Sequence, residues 1–153
     1  IFLGRHAARK ALKGTDRLET PIRRAMAARP GAARLTIVEN RPYDEYLTLM
    51  RSAHLVVDQA YSYTPATNAL LAMAHGIPVV SGAEPPFYHF LNTVEQPIIN
   101  SPIDVDSMTT LFIHILDNPA MLAPLGAASR RFVLRHNAAT TVARRFLTFW
   151  QRP

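Results

Sequence analysis

Residues 68–82, NALLAMAHGIPVVSG, decide how the chain folds. From Asn68 to Ala74 the side chains are apolar almost all round, which predicts a buried helix. Gly76 stops it, because glycine takes the left-handed conformation that closes a helix without steric penalty. Pro78–Ser81 then predicts a strand, and its unbroken apolar run lacks the alternation of a sheet with one wet face. A buried helix feeding a strand covered on both sides implies a parallel sheet.

The same alternation recurs outward from that point. Strands are expected at Ile1–Leu3, Leu35–Val38, Leu55–Asp58 and Pro97–Ile99, each bounded by polar residues, Gly or Pro. Between them Leu18, Ile22, Ala25 and Met26 share one helical face, as do Tyr43, Tyr46, Leu47 and Met50. After Asn100 the pattern is purely helical, with stripes at Met108–Ile115, Met121–Phe132 and Val142–Trp150. The expectation is α/β: one Rossmann-like domain over residues 1–153, a doubly wound parallel sheet with C-terminal helices.

A chain of 153 residues that is 48% hydrophobic can form one core and is too short for two domains. No stretch approaches the roughly 18 apolar residues of a membrane span, and the opening "IFLG" does not read as a signal peptide. The absence of Cys removes disulfides, thiolate nucleophiles and thiolate metal sites, and suits a cytoplasmic setting. Of the seventeen Lys/Arg, ten fall within the first 41 residues and none between Ser52 and Ser129. The arginines of RRFVLRHNAATTVARRF alternate with an apolar stripe, so they are expected on the outer faces of terminal helices. That distribution favours an anionic substrate or an acidic membrane surface over nucleic acid.

Doubly wound sheets bind ligands at the carboxyl ends of their strands, so the loops after the strands matter most. They carry Arg5, His6 and Lys13; Asn40 and Arg41; Asp58, Tyr61, Tyr63, Thr64 and Asn68; and Glu84. In GRHAARKALKG, Gly4 allows a sharp turn, Arg5 offers a planar fork for phosphate oxygens and Lys13 adds a second charge. His6 is a further donor to a phosphate or sugar oxygen. Thr64, ahead of Pro65, is expected to cap the buried helix, whose positive end faces the same rim.

Other chemistries find little support. Ile103–Ser107, IDVDS, contains an Asp-x-Asp of the kind that holds a cation beside a diphosphate. It precedes a helical stripe, however, so Asp104 or Asp106 is expected to cap or charge that helix. The six histidines lack zinc-ligand spacing, and no metal is expected. Nucleophile-elbow, Walker and Gly-x-Gly-x-x-Gly motifs are all missing.

With these residues in view, the whole chain resembles the C-terminal, donor-binding half of GT-B glycosyltransferases, in the large retaining group often called family four. GRHAARKALKG is similar to that family's Gly-Arg…Lys-Gly segment, which implies that Arg5 and Lys13 grip the donor diphosphate. LLAMAHGIPVVSG resembles the family's Glu-Ala-Met-Ala block, and SAHLVVDQAYSYTPATN resembles the strand and loop before it. The resemblance departs at two acids: the positions of the usual loop glutamates hold Tyr63 and Leu71. YSYTPATNALLAMA…GAEPP…PIIN looks like a divergent branch of bacterial surface-polysaccharide enzymes.

The resemblance implies binding of a UDP-, GDP- or ADP-sugar without a metal cofactor, for transfer to a saccharide or lipid-linked acceptor held by an absent N-terminal domain. Peripheral membrane contact would fit such an acceptor. Ribose recognition then falls to Asp58, Tyr61, Asn68 or Glu84, a sugar hydroxyl to Glu84, and the base to the backbone around Asn40 and Arg41. A sensing or scaffolding module derived from such a domain is the alternative.

Overall fold

The computed structural model describes residues 1–151. In chain order its elements are β1 (Phe2–Arg5), α1 (Lys10–Lys13), α2 (Thr15–Ala28), β2 (Thr36–Glu39), α3 (Tyr43–Arg51), β3 (Val56–Val57) and α4 (Thr67–Ala74). They continue with β4 (Val79–Ser81), α5 (Pro85–Phe90), β5 (Ile99–Asn100), α6 (Val105–Asp117), α7 (Leu122–His136) and α8 (Ala139–Trp150). The five strands form one parallel sheet in the order β2-β1-β3-β4-β5. The fold is α/β with helices on both faces, as the sequence implies.

The pleat sorts the core into two layers. Phe2 pairs with Val56 and both face the layer of α3, α4 and α7, where Met50, Ala72, Met73 and Phe132 are buried. Leu3 pairs with Val57 on the other face, against Leu18 and Ile22 of α2 and Met108 and Phe112 of α6. Strand order reverses about β1, whose neighbours β2 and β3 lie on opposite sides of it. In sheets of this order the crevice between the carboxyl ends of β1 and β3 is the topological switch point where ligands sit.

Four expectations need correcting. The loop GRHAARKALKG holds a 3₁₀ turn at Ala7–Arg9 and then α1, because its Ala, Arg, Lys and Leu residues are strong helix formers. The loop after β4 holds α5, which opens on Pro85 and Pro86, where a missing N–H is tolerated. Thr64 does not cap α4: the helix starts at Thr67 with Ala66 in the capping position. Asp58 satisfies the Ala66 amide, replacing a local cap with one from the preceding strand end. Finally, the stripe of α8 is not buried, and Phe146, Leu147, Phe149 and Trp150 are all exposed. Asp104 does cap α6, accepting from the Ser107 amide at 2.7 Å.

Candidate functional site

The carboxyl ends of β1 and β3, the switch point of the sheet, meet at Asp58, which follows β3 and is only 2% exposed. Its Oδ2 accepts from the Ala66 amide at 3.2 Å and from the Ser81 hydroxyl at 3.4 Å. Its Oδ1 lies 3.9 Å from the Lys13 ammonium. Burial pushes the Asp58 carboxyl above the usual range, opposed chiefly by the positive charge of Lys13. One carboxylate therefore touches both the loop after β1 and the entry to α4.

The backbone of that loop is fixed as well. The Lys13 carbonyl accepts from the amides of Ala60 and Tyr61, at 3.0 and 3.2 Å. Gly14 follows at φ 68°, and a Cβ there would stand 3.0 Å from the Tyr61 ring, so glycine permits both the turn and the approach. The Lys13 side chain is 30% exposed, which leaves its ammonium reachable from solvent. Near Asp58, the Tyr46 hydroxyl donates to Asn68 Oδ1 at 2.6 Å. That hydroxyl fills the space where a Cβ on Gly4 would project, and burial pushes its pKa up to about 12.

The amino end of α4 lies at the same strand ends, held there by the Ala66 amide on Asp58. Leu70 donates to the Ala66 carbonyl as the first bond of the helix, so the N–H groups of Thr67 and Asn68 have no intrahelical acceptor. With the helix dipole behind them, they form a partial positive charge within the loop that Asp58 ties to Lys13.

Arg5 lies at the same edge but is committed elsewhere. Its Nη1 donates to Glu19 Oε2 at 2.9 Å, and its Nε lies 3.4 Å from Glu39 Oε2. Register explains both contacts: Arg5 stands opposite Glu39 across the β1–β2 ladder and shares the Leu3 face, where α2 presents Glu19. Asp58 follows the parity of Val56, so it faces the opposite layer with α3 and α4. The two cations singled out from sequence thus flank β1 from different faces of the sheet.

A third cluster lies at the end of β4. Glu84 precedes α5; its amide donates to the Tyr63 carbonyl at 3.0 Å and its carboxylate accepts from Asn100 at 2.9 Å. Asn100 also accepts from the Ala83 amide at 2.8 Å, holding both sides of the turn from β5. Tyr61 stands at the rim with the Arg17 guanidinium 5.8 Å over its ring. Tyr63 and Thr64 are exposed, and the Thr64 carbonyl is held by Gln59 at 2.9 Å.

His6, Asn40 and Arg41 are not drawn into these clusters. All three are exposed, and Arg41 pairs with Glu45 at 3.4 Å on the surface of α3. Leu71 packs against the core, so no acid stands at that position of α4. Among the described residues no group of His, Asp or Glu is arranged to hold a metal ion. A groove of about 980 Å³ lies at the opposite, amino-terminal edge of the sheet, lined by Ile1, Arg34, His54, Pro78 and Leu122 among others. It lacks any carboxylate and is remote from the clustered chemistry, so its size does not make it the better site.

Sequence reasoning did not single out Tyr46, Ser81, Asn100, Glu19 and Glu39. Ser81 ends the expected strand Pro78–Ser81 and Asn100 directly follows the expected strand Pro97–Ile99, whereas the other three are recognisable only once strands and helices are placed. The chain matches no protein-family model and no curated protein sequence.

Proposed function

We propose that this rim binds the diphosphate of a nucleoside-diphosphate sugar, as the donor-binding part of a glycosyltransferase of GT-B architecture. The observation that carries this reading is the reachable Lys13 ammonium at the switch point, which the Asp58 carboxyl links to the amino end of α4. In the transfer the sugar's C1–O bond breaks and its electron pair passes to the diphosphate. The acceptor hydroxyl bonds to C1, and its proton passes to the departing diphosphate oxygen. Lys13 and the Thr67 and Asn68 amides stabilise the departing charge without requiring a metal, a class of contact whose loss elsewhere costs about a hundredfold or more in rate. Glu84, steadied by Asn100, accepts a hydroxyl of the donor, and the backbone at Asn40 and Arg41 meets the base. The acceptor, a saccharide or a lipid-linked one, needs a second domain, so this chain alone binds donor without turning it over.

Calorimetry with UDP-, GDP- and ADP-glucose tests the reading. One base is expected to bind and the others to bind more weakly. Absence of binding by all three, and by inorganic pyrophosphate, contradicts it.

A nucleotide-sensing module is the second reading, favoured by the engagement of Arg5 with Glu19 and Glu39 and by Leu71 in place of an acid. It predicts that the full-length protein shows no turnover of the donor this chain binds.

A further inference from the structure

We propose that Asp58 is a positioning residue: from beneath the site it aims the Lys13 ammonium at the crevice and, with the same carboxylate, fixes the entry to α4. This rests on the diphosphate reading, but it assigns Asp58 a different task from contact with the donor. At 2% exposure the carboxylate is out of reach of a ligand. Its oxygens divide the work: Oδ2 takes the Ala66 amide and the Ser81 hydroxyl, leaving Oδ1 turned to Lys13. A lysine on a four-carbon stem samples many rotamers in solvent, and a fixed counter-charge beside its ammonium narrows them. The loop backbone is pinned independently through the Lys13 carbonyl, so Asp58 is needed for the side chain and not for the loop.

The arrangement opposes the stability of the fold. The groups facing Asp58 are Lys13 of α1, the Tyr46 phenol of α3, Asn68 of α4 and Ser81 of β4, and only Lys13 among them carries a positive charge. A neutral side chain of the same shape would sit more comfortably in that position, since burial favours the uncharged form. A carboxyl group retained there is explained by what it does to Lys13.

The chain offers a direct probe, because Lys10 and Lys13 are its only lysines. Reductive ¹³C-methylation keeps their charge and gives two resolvable side-chain NMR signals. The Lys13 signal is expected to move with pH as Asp58 titrates, above the ordinary carboxylate range, while Lys10 stays flat. Asp58→Asn should abolish that movement. A Lys13 signal indifferent to Asp58→Asn overturns the proposal, whatever the ligand.

Pyrophosphate titrations of Asp58→Asn, Lys13→Met and the double variant supply the second arm. Each single change is expected to weaken binding about tenfold, and the double variant to be no weaker than Lys13→Met, because the two act as one unit. Asn keeps an oxygen for the Ala66 amide and loses only the charge facing Lys13, so losses that multiply in the double variant overturn the positioning role. The melting temperature of Asp58→Asn at pH 8 should equal or exceed that of the unaltered chain, and Asp58→Ser repeats the test should Asn fail to fold. If the unaltered chain ignores pyrophosphate while the Lys13 signal follows Asp58, the diphosphate reading falls and the ion pair stands.

Discussion

Two corners of one sheet edge hold a cation each, yet they are built to opposite plans. At the Arg5 corner, two carboxylates surround one guanidinium, and Glu19 is shared further with Arg23 at 2.7 Å. At the Lys13 corner a single buried carboxylate faces one ammonium, and the helix end beside it keeps free N–H groups. The acids also titrate in opposite directions. Glu19 lies below the usual range, chiefly through its hydrogen bond from Arg23, whereas burial raises Asp58. The first corner spends its charge on holding α2 and β2 to β1; the second, on the proposed reading, keeps charge available for a ligand. A basic residue after a strand is therefore a site only where its counter-charges leave it something to give.

The sharpest way to break this contrast is to remove each cation in turn. Lys13→Met is expected to lower affinity for UDP or GDP by about 10- to 100-fold in calorimetry, as the loss of one charged contact would. Arg5→Met is expected to change affinity less than about threefold and instead to lower stability by roughly 1 kcal/mol, leaving Glu19 and Glu39 without their shared partner. Equal losses of binding from both variants would erase the distinction.

Asn100→Ala probes the rim beyond both corners. Freed from β5, Glu84 should lose its fixed orientation, so a UDP-sugar binds about threefold more weakly while UDP alone is unaffected. Equal weakening of both would move Glu84 away from the sugar.

The smallest effect expected is in the pH dependence of stability. Glu19, with its lowered folded pKa, contributes stability above the ordinary carboxylate range that is lost as pH falls through the folded value. Asp58, with its raised one, favours the fold below the ordinary range and loses that contribution as pH rises through its folded value. Thermal melts between pH 3 and pH 8 should show Glu19→Gln and Asp58→Asn flattening the profile with opposite slopes. Slopes of the same sign would contradict the two plans.

The fold was legible because each strand is an unbroken apolar run and each main helix a stripe, as at Pro78–Ser81 and Leu18–Met26. The rim was legible for the same reason, since Lys13, Asp58, Asn68 and Glu84 all follow strand ends. Partners were not. Arg5 follows Leu3 and Asp58 follows Val56 by two positions, but only the register Phe2↔Val56 reveals that this parity puts them on opposite faces. The start of α4 escaped local reasoning because Asp58, eight residues earlier, holds the Ala66 amide that Thr64 was expected to cap. In α8 the stripe is genuine, yet periodicity says only which residues share a face, not whether anything covers it.

Whether Lys13 and not Arg5 receives a diphosphate is decided most directly by a crystal structure of this chain soaked with UDP. The diphosphate is expected within hydrogen-bonding distance of the Lys13 ammonium and the amino end of α4, with Arg5 still bound to Glu19 and Glu39. A diphosphate seated on Arg5 with those two pairs broken, or lodged at the opposite edge of the sheet, would contradict it.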